Sequence, residues 1–264
     1  MVNDMEAMDM IKTAYIRGLL AKGTREDGRA KGDFRSIKIS AGILQNAEGS
    51  AQVDLGATRV LAGVKLDLGE PMEDTPNEGA VAMSADLLPL ASADFEMGPP
   101  SPDAIELARV VDRGIRAGRC VNTESLFIEE GKVWNIYVDI YVLNYDGNLF
   151  DASEIAAMSA LLNTKVPEYE NGKVIREKRI KALKVDNMVT SVTCAKIDGG
   201  IVFDPTGNEE TAAQARLTVA TDGQYIRAMQ KGLGGSFTQQ EVLDVANGAF
   251  ERHGMLKNAI ESSM

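Results

Sequence analysis

The sequence predicts an α+β fold made of two similar βαβα-type lobes. In the first half of the 264-residue chain, segments with alternating apolar residues are followed by a helical pattern, and the same order returns in the second half. A capping-box pattern at Asp151 and another at Thr238 mark the start of the helix that closes each half. The repeat rests on this order of elements and not on residue identity.

The first half opens with a predicted amphipathic helix at residues 5–20. The apolar side of this helix consists of Met5, Met8, Ile11, Tyr15 and Leu19. The elements that follow are a turn-rich link at 25–29, strands at 37–44 and 50–68, a helix at 105–118, a strand at 133–143 and a helix at 151–163.

The second half begins at residues 166–184, which carry Pro167, Gly172 and several lysines and are predicted to be a boundary. A long helix starts at Thr238, after predicted strands at 188–198, 200–203, 212–220 and 224–230. The predicted organisation is therefore an N-terminal helix at 1–24, a first lobe at 25–165 and a second lobe at 166–264.

The composition is typical of a globular protein, with 44% hydrophobic and 25% charged residues. The formal net charge of −11 opposes free binding of nucleic acid, so a polyanion would need a local cluster of positive charge and the help of a second chain. Cys120 and Cys194 are the only cysteines and form no disulfide framework. The sequence has neither a signal-peptide pattern nor an apolar run of 18 residues, which predicts a cytoplasmic protein with no membrane segment.

The most informative segment is the predicted helix at the centre of the first half, which gathers arginines in an acidic chain. At about 100° per residue, Arg109, Arg113 and Arg116 fall within a sector of roughly 60°. The opposite side is apolar and consists of Leu107, Val110, Val111 and Ile115. The pattern predicts a binding face, although local pairing with Glu106 and Asp112 leaves a solvated charged face as the alternative.

The scarcity of histidine and the absence of nucleotide-binding motifs argue against several common kinds of site. His253 is the only histidine, which leaves no His-rich zinc site within the chain, and its place on an apolar helix face predicts a packed structural residue. The patterns Gly-x-x-x-x-Gly-Lys-Ser/Thr and Gly-x-Gly-x-x-Gly do not occur, which argues against nucleoside triphosphate and dinucleotide sites. The glycine-rich loop from Lys231 to Ser236 either offers backbone amides to an anion or simply connects two elements.

Acidic residues cluster after a short predicted strand in the second half. Asp204, Glu209 and Glu210 carry carboxylates of the kind that hold a magnesium ion or exchange protons. The Asp-Pro-Thr-Gly run that begins at Asp204 is also typical of an ordinary turn. Both interpretations stay open on the residues alone.

Seven short motifs follow one another along nearly the whole chain: Arg25-Glu-Asp-Gly-Arg29, Asp33-Phe-Arg35, Gly49-Ser-Ala-Gln-Val53, Gly56-Ala-Thr-Arg-Val-Leu61, Glu106-Leu-Ala-Arg-Val-Val-Asp-Arg113, Asp146-Gly-Asn-Leu-Phe-Asp-Ala152 and Asp204-Pro-Thr. Their order and spacing resemble the RNase PH family, and within it the non-catalytic ring subunits of archaeal exosomes. The resemblance implies the RNase PH fold, also described as the ribosomal protein S5 domain 2-like fold. It also implies a link to degradation of RNA from the 3′ end with inorganic phosphate, which releases nucleoside diphosphates.

Departures from the catalytic pattern of the family change the role that the resemblance implies. Catalytic members carry Gly-Gly-Thr-Arg after the aspartate that Asp146 matches, and the Thr and Arg hold the attacking phosphate. Here the last two positions are Leu149 and Phe150, which supply neither a side-chain hydrogen-bond donor nor a positive charge. Asp204 matches the first of two catalytic aspartates, and Glu210 replaces the second. The resemblance therefore implies a lost phosphate site and a vestigial carboxylate pair.

The resemblance also implies an assembly and a division of roles. In the family complex, three chains of this kind alternate with three catalytic chains in a hexameric ring of three heterodimers, capped by RNA-binding subunits. It implies that Arg109 and Arg113 hold single-stranded RNA at the shared active site, with Arg116 as a further candidate. Magnesium and inorganic phosphate are expected in the partner's active site, and no metal or cofactor is expected on this chain. The alternative is a self-sufficient phosphorolytic 3′–5′ exoribonuclease that uses Asp204 and Glu210.

Overall fold

The computed structural model describes residues 4–170 and 172–264, and every element below lies within those ranges. Its helices are α1 (Asp4–Ala21), α2 (Pro102–Ala117), α3 (Leu149–Leu162), α4 (Gly207–Ala212) and α5 (Gln239–Glu261). The strands of the first half are β1 (Ile37–Ala41), β2 (Gly49–Leu55), β3 (Thr58–Gly69), β4 (Ala80–Leu87), β5 (Phe127–Glu129) and β6 (Lys132–Asn144). The later strands are β7 (Lys165–Glu170), β8 (Lys173–Ala182), β9 (Thr190–Ile197), β10 (Gly200–Phe203), β11 (Ala215–Thr221) and β12 (Ile226–Gly232).

The first sheet has the strand order β1-β2-β3-β6-β4, and the short β5 also pairs with β6. Its neighbours are antiparallel except β4 and β6, which run parallel. In the long β3 and β6 pair, Val60 lies opposite Val142 and Val64 opposite Val138, and all four side chains are buried. The alternation predicted for these strands is confirmed, because side chains of successive residues point to opposite faces.

The second sheet has the order β10-β9-β11-β12 and is antiparallel throughout. Three helices form a layer between the two sheets. In this layer α3 packs against β2, β3 and β9, α2 against β4 and β12, and α5 against β9 and β11. Helix α3 is buried along nearly its whole length, which is typical of a helix covered on every side. The main core therefore runs through both lobes, and the predicted order of strands followed by a helix, twice, is confirmed.

Helix α1 packs on the outer face of the second sheet, but not through the predicted side. Ile16 and Leu20 are buried against apolar side chains of that lobe, whereas Met8, Ile11 and Tyr15 are more than half exposed. The side chain of Met5 lies outside the described residues. Periodicity identified an apolar stripe on α1. The side that packs is instead determined by the apolar surface of the second lobe, which contacts Ile16 and Leu20.

Two further predictions about helix and strand boundaries were wrong. The cap of α3 is Asn148 and not Asp151: in a left-handed conformation, with φ of 52°, its side chain accepts a hydrogen bond from the Asp151 N–H. The second sheet also gains α4, which starts with a capping box of Thr206 and Glu209. The strand predicted at residues 212–220 therefore begins three residues later.

Residues 166–184 were predicted to be a boundary, and most of them form the β7-β8 hairpin. Pro167 is tolerated because the pairing shifts register on both sides of it, which removes the need for its missing N–H. Arg176 fixes the hairpin to the first sheet by donating to the Glu48 carboxylate and to the Leu66 carbonyl. The lobe boundaries at residues 24 and 165 stay a prediction.

The prediction for His253 is confirmed, since the side chain is buried in α5 and its Nδ1 lies 2.9 Å from the Thr190 hydroxyl. Among the helices in the described ranges, none combines the length and the apolarity that crossing a membrane requires.

Candidate functional site

Helix α2 presents the arginines on its exposed side, as the sequence predicts. Ser101 caps the helix by accepting a hydrogen bond from the Ala104 N–H, and Pro102 occupies the first turn, where a missing N–H costs little. Arg109, Arg113 and Arg116 are all exposed. The apolar side is buried and consists of Leu107, Val110, Val111 and Ile115.

The three arginines differ in what holds them. Arg113 donates from Nη1 to the side-chain oxygen of Gln230 on β12, at 2.8 Å. Arg116 donates from Nη2 to the Asp112 carboxylate at 2.9 Å and to the Val81 carbonyl at 3.2 Å. Arg109 makes no side-chain hydrogen bond or ion pair to the described part of the chain. Arg109 and Arg113 therefore keep their full charge, whereas the charge of Arg116 is offset by a carboxylate.

The surroundings of Arg116 are also unfavourable for a phosphate. It lines a groove of about 710 Å³ between α2 and the loop before β4. Six carboxylate side chains line this groove, against the two cations Arg116 and Arg119: Glu70, Asp74, Glu78, Asp112, Glu124 and Asp186. Because local charge governs binding of an anion, the surroundings of Arg109 and Arg113 are more favourable for a phosphate than those of Arg116.

A second cavity, of about 340 Å³, lies between α2, the first turn of α3 and the second lobe, and Leu149, Phe150 and Glu210 line it. Arg216 is the one cation among the described residues around it. The guanidinium of Arg216 stacks 4.3 Å from the Phe150 ring centre and pairs with Glu106 at 3.0 Å. This cavity therefore offers an anion no uncommitted positive charge.

The N-terminus of α3 is occupied by one of the chain's own carboxylates. Backbone N–H groups at a helix start favour anions, and here the Asn148 N–H donates to the Glu210 carboxylate at 3.0 Å. The Tyr145 hydroxyl donates to the other oxygen of Glu210 at 2.6 Å. Burial raises the pKa of Glu210, while the hydrogen bonds from Tyr145 and Asn148 and the charge of Arg216 act in the opposite direction. A phosphate at this helix start would have to displace Glu210.

Asp204 is fully buried, and its carboxylate is committed to structural contacts. Arg35 binds both oxygens, through Nη2 at 2.7 Å and Nε at 2.9 Å. Arg29 adds a bond at 2.9 Å, and the Asn148 side-chain amide adds one at 2.7 Å. Burial lowers the pKa of Arg35, but the hydrogen bond and charge of Asp204 outweigh that effect and raise it. Asp204 therefore holds the segment before β1 against the second lobe.

Glu209, the third member of the acidic cluster, has a separate role. It forms a buried ion pair with Arg25, with bonds of 2.8 and 2.6 Å, and completes the capping box of α4. The three carboxylates of the cluster thus contact different partners. Within the described residues, no group of three or more His, Cys, Asp or Glu side chains is placed to hold a metal ion.

The sequence interpretation missed the roles of Arg25, Arg29 and Arg35, although the motifs that contain them were identified. The available signal was the density of arginines in a segment without a predicted helix or strand. Gln230 gave no signal, because its contact with Arg113 joins residues of two different lobes that are 117 positions apart in sequence.

The comparison with known families matches both lobes. Residues 33–167 match the model of the 3′ exoribonuclease family, domain 1, and residues 187–252 match domain 2 of the same family. The chain is 45% identical to the exosome complex component Rrp42 of Thermococcus gammatolerans, over 98% of this chain and 97% of that protein. It is 42% identical to the Rrp42 component of Methanothermobacter thermautotrophicus, over 100% and 99% of the two chains.

Solved structures agree with these matches. A chain of the Archaeoglobus fulgidus exosome with RNA bound to the active site aligns with a TM-score of 0.90 and 39% identity, over 96% of this chain and 98% of that one. A chain of an archaeal exosome core aligns with a TM-score of 0.87 and 35% identity, over 98% and 100% of the two chains. Rice Rrp46, at 15% identity and a TM-score of 0.70, shares the fold. The chain therefore belongs to the 3′ exoribonuclease family, the RNase PH family whose motifs it carries.

Proposed function

We propose that this chain is a non-catalytic subunit of an exosome ring, which helps to bind RNA while a partner subunit carries out 3′–5′ phosphorolytic degradation. Both relatives compared above are named exosome complex components, and the two structures aligned at 35% identity or more are archaeal exosomes. The catalytic partner is an RNase-PH-like subunit that alternates with this chain, three of each. RNA-binding cap subunits complete the assembly, and its place is the cytoplasm.

One observation carries the non-catalytic assignment: the site at the start of α3 is built to exclude phosphate. Leu149 and Phe150 supply no side-chain donor, and the Glu210 carboxylate accepts from the backbone N–H of Asn148. Putting a phosphate dianion beside that carboxylate would cost both repulsion and desolvation. Magnesium and inorganic phosphate are therefore expected in the partner's active site.

The alternative, a self-sufficient exoribonuclease, would need Asp204 as a free acid or metal ligand. Its carboxylate instead accepts bonds from Arg29, Arg35 and Asn148. A general acid must reach the atom that it protonates at about 3 Å. The alternative would have to break these buried contacts before any chemistry took place.

The assay that separates the two functions measures nucleoside diphosphate release from single-stranded RNA with phosphate and magnesium. We expect no release by the purified chain alone and release after the catalytic subunit is added. Release by the chain alone, at a rate that scales with its concentration, would overturn the proposal.

The RNA-binding role assigns phosphate contacts to Arg109 and Arg113. Changing either one to Ala in the assembled ring should weaken binding of single-stranded RNA by about tenfold, as expected for a lost charged hydrogen bond. Arg17→Ala is the matched control, because this partly exposed arginine lies on α1 and pairs with Asp198. Equal RNA affinity for Arg109→Ala, Arg113→Ala and the control would remove the stripe from the proposed function.

A further inference from the structure

The second lobe holds one arginine of the stripe without cancelling its charge. Arg113 is exposed, and its Nη1 donates to the side-chain oxygen of Gln230 at 2.8 Å. A guanidinium has five N–H donors, so this bond leaves four for another ligand. The acceptor is a neutral amide, and the positive charge of Arg113 remains available.

The amide of Gln230 is itself oriented by a charged pair. Its nitrogen lies 3.5 Å from one oxygen of Glu106, and the other oxygen of Glu106 pairs with Arg216 at 3.0 Å. Because Arg216 offsets the Glu106 carboxylate, Glu106 does not compete for the Arg113 guanidinium. The series of contacts runs from β11 through Glu106 on α2 to Gln230 on β12 and ends at Arg113.

Arg116 provides the contrast within the same helix. It is held just as firmly, at 2.9 Å, but its partner is the carboxylate of Asp112. A phosphate that approached Arg116 would have to compete with that carboxylate, whereas one that approached Arg113 meets a cation already fixed in place. Fixing a long side chain before binding removes part of the entropy cost of ordering it on the ligand.

We propose that Gln230 is a positioning residue for Arg113, so that the second lobe helps to build the RNA-binding surface of the first. The inference rests on the proposed function and names a further residue of the same surface. Gln230 acts through Arg113 and contacts no RNA itself.

The test measures the dissociation constant of a single-stranded oligoadenylate for the ring assembled with its catalytic partner, without phosphate, over a range of salt concentrations. Gln230→Leu should raise the dissociation constant about three- to tenfold, the range expected for one lost hydrogen bond. The salt dependence should stay the same, since Arg113 keeps its charge. Gln230→Glu should weaken binding and also reduce the slope of log K against log salt by about 0.7, the value for one single-strand phosphate contact.

The control is Gln224→Leu, the same chemical change at an exposed residue before β12 whose side chain makes no hydrogen bond to the described residues. In an Arg113→Ala background, Gln230→Leu should have no further effect. An equal effect in both backgrounds would show a structural role and overturn the inference. Unchanged affinity in Gln230→Leu, with weaker binding in Arg113→Ala, would overturn the inference alone. Unchanged affinity in Arg113→Ala would overturn it together with the RNA-binding role of that arginine.

Discussion

At the scale of single residues, the carboxylate of Asp204 is committed to structural contacts. Its carboxylate is buried between Arg29 and Arg35, whose side chains are 13% and 7% exposed. Charges this deeply buried are costly to leave without partners, because solvent no longer stabilises them. Asp204 is therefore a point where loss of charge should be felt in the stability of the fold.

We expect Asp204→Asn to lower the free energy of unfolding by about 3–5 kcal/mol, since it removes the close counter-charge of buried Arg35 and leaves Arg29 paired with Asp27 alone. Urea denaturation measures this directly. Asp198→Asn is the control, because Asp198 and its partner Arg17 are 51% and 40% exposed and such pairs contribute up to about 1 kcal/mol. Similar losses in the two variants would contradict the structural role of Asp204.

Two more buried carboxylates lie on α3. Burial raises the pKa of Asp151 to about 7, against the hydrogen bonds that it accepts from Asn148 and Thr193. Burial also raises the pKa of Glu154 well above its ordinary value of 4.5, with the hydrogen bond from Ser191 opposing and the charge of Asp151 adding to the rise. A carboxyl with a raised pKa keeps its proton in the folded state after the unfolded chain has lost it. Stability therefore falls as the pH rises from about 4.5 toward the folded-state pKa.

We expect Glu154→Gln to remove the contribution of Glu154 to this loss of stability at rising pH. The variant should gain stability relative to the parent as the pH rises above about 4.5, by up to about 1.4 kcal/mol per pH unit, and the two should converge below it. Urea denaturation from acid to neutral pH measures the difference. Glu251→Gln, at a side chain that is 76% exposed, is the control for the same chemical change at the surface. Parallel profiles for the parent and Glu154→Gln would refute the prediction.

At the scale of elements, the contact between α2 and α3 depends on a missing side chain. A Cβ added at Gly114 would lie 2.8 and 3.0 Å from the two carboxylate oxygens of Glu154, which is itself enclosed in α3. Glycine lowers helix propensity by about 1 kcal/mol relative to alanine. The cost in helix propensity of Gly114 in the middle of α2 is offset by the close packing of α2 against α3.

We expect Gly114→Ala to destabilise the protein by about 1–3 kcal/mol, because overpacking outweighs the gain in helix propensity. Gly254→Ala is the matched variant: Gly254 also lies inside a helix, α5, but an added Cβ meets nothing within 4 Å. That change should stabilise the protein by up to about 1 kcal/mol. Thermal or urea unfolding of the two variants compares them, and stabilisation by both would contradict close packing at Gly114.

Sequence patterns predicted the elements whose residues repeat with a clear period and missed those fixed by distant contacts. The alternation of β3 and β6 and the buried side of α2 follow from local periodicity. The side on which α1 packs depends on a surface far away in sequence. Helix α4 and the β7-β8 hairpin carry local signals, the capping box at Thr206 and the turn glycine Gly172, which the prediction interpreted otherwise. The same division holds for the site. The absence of a side-chain donor at Phe150 is visible in the residue itself. The ion pair between Arg35 and Asp204 instead joins positions 169 residues apart in sequence.

At the scale of the whole molecule, the net charge of −11 and the exposed arginines on α2 have opposite effects on the binding of a polyanion. Screening confines each exposed charge to about 8 Å at physiological salt, so Arg109 and Arg113 attract phosphate locally while the remaining surface repels it. Two such cations support few phosphate contacts. Tight binding of RNA therefore needs further cations from a partner.

We expect the isolated chain to bind single-stranded RNA at least about tenfold more weakly than the ring assembled with the catalytic subunit, at salt near 0.15 M. Fluorescence anisotropy with a labelled oligoribonucleotide measures both. The ring that carries Arg109→Ala and Arg113→Ala together is the control for the contribution of this chain. Equal affinities of the isolated chain and the unmodified ring would contradict a shared binding surface.

The contacts of α1 and of the segment after it have a consequence for synthesis. Ile16 and Leu20 pack against Ala195, Ile197, Val202 and Ala212, and Arg25 pairs with Glu209, 184 residues later. At about 5–20 residues per second, a ribosome needs roughly 10–40 seconds after α1 has been synthesised to make its partners in the second lobe. During that interval, the side of α1 that carries Ile16 and Leu20 and the guanidinium of Arg25 lack their partners in the second lobe. This segment therefore completes its native contacts only after the second lobe has been made.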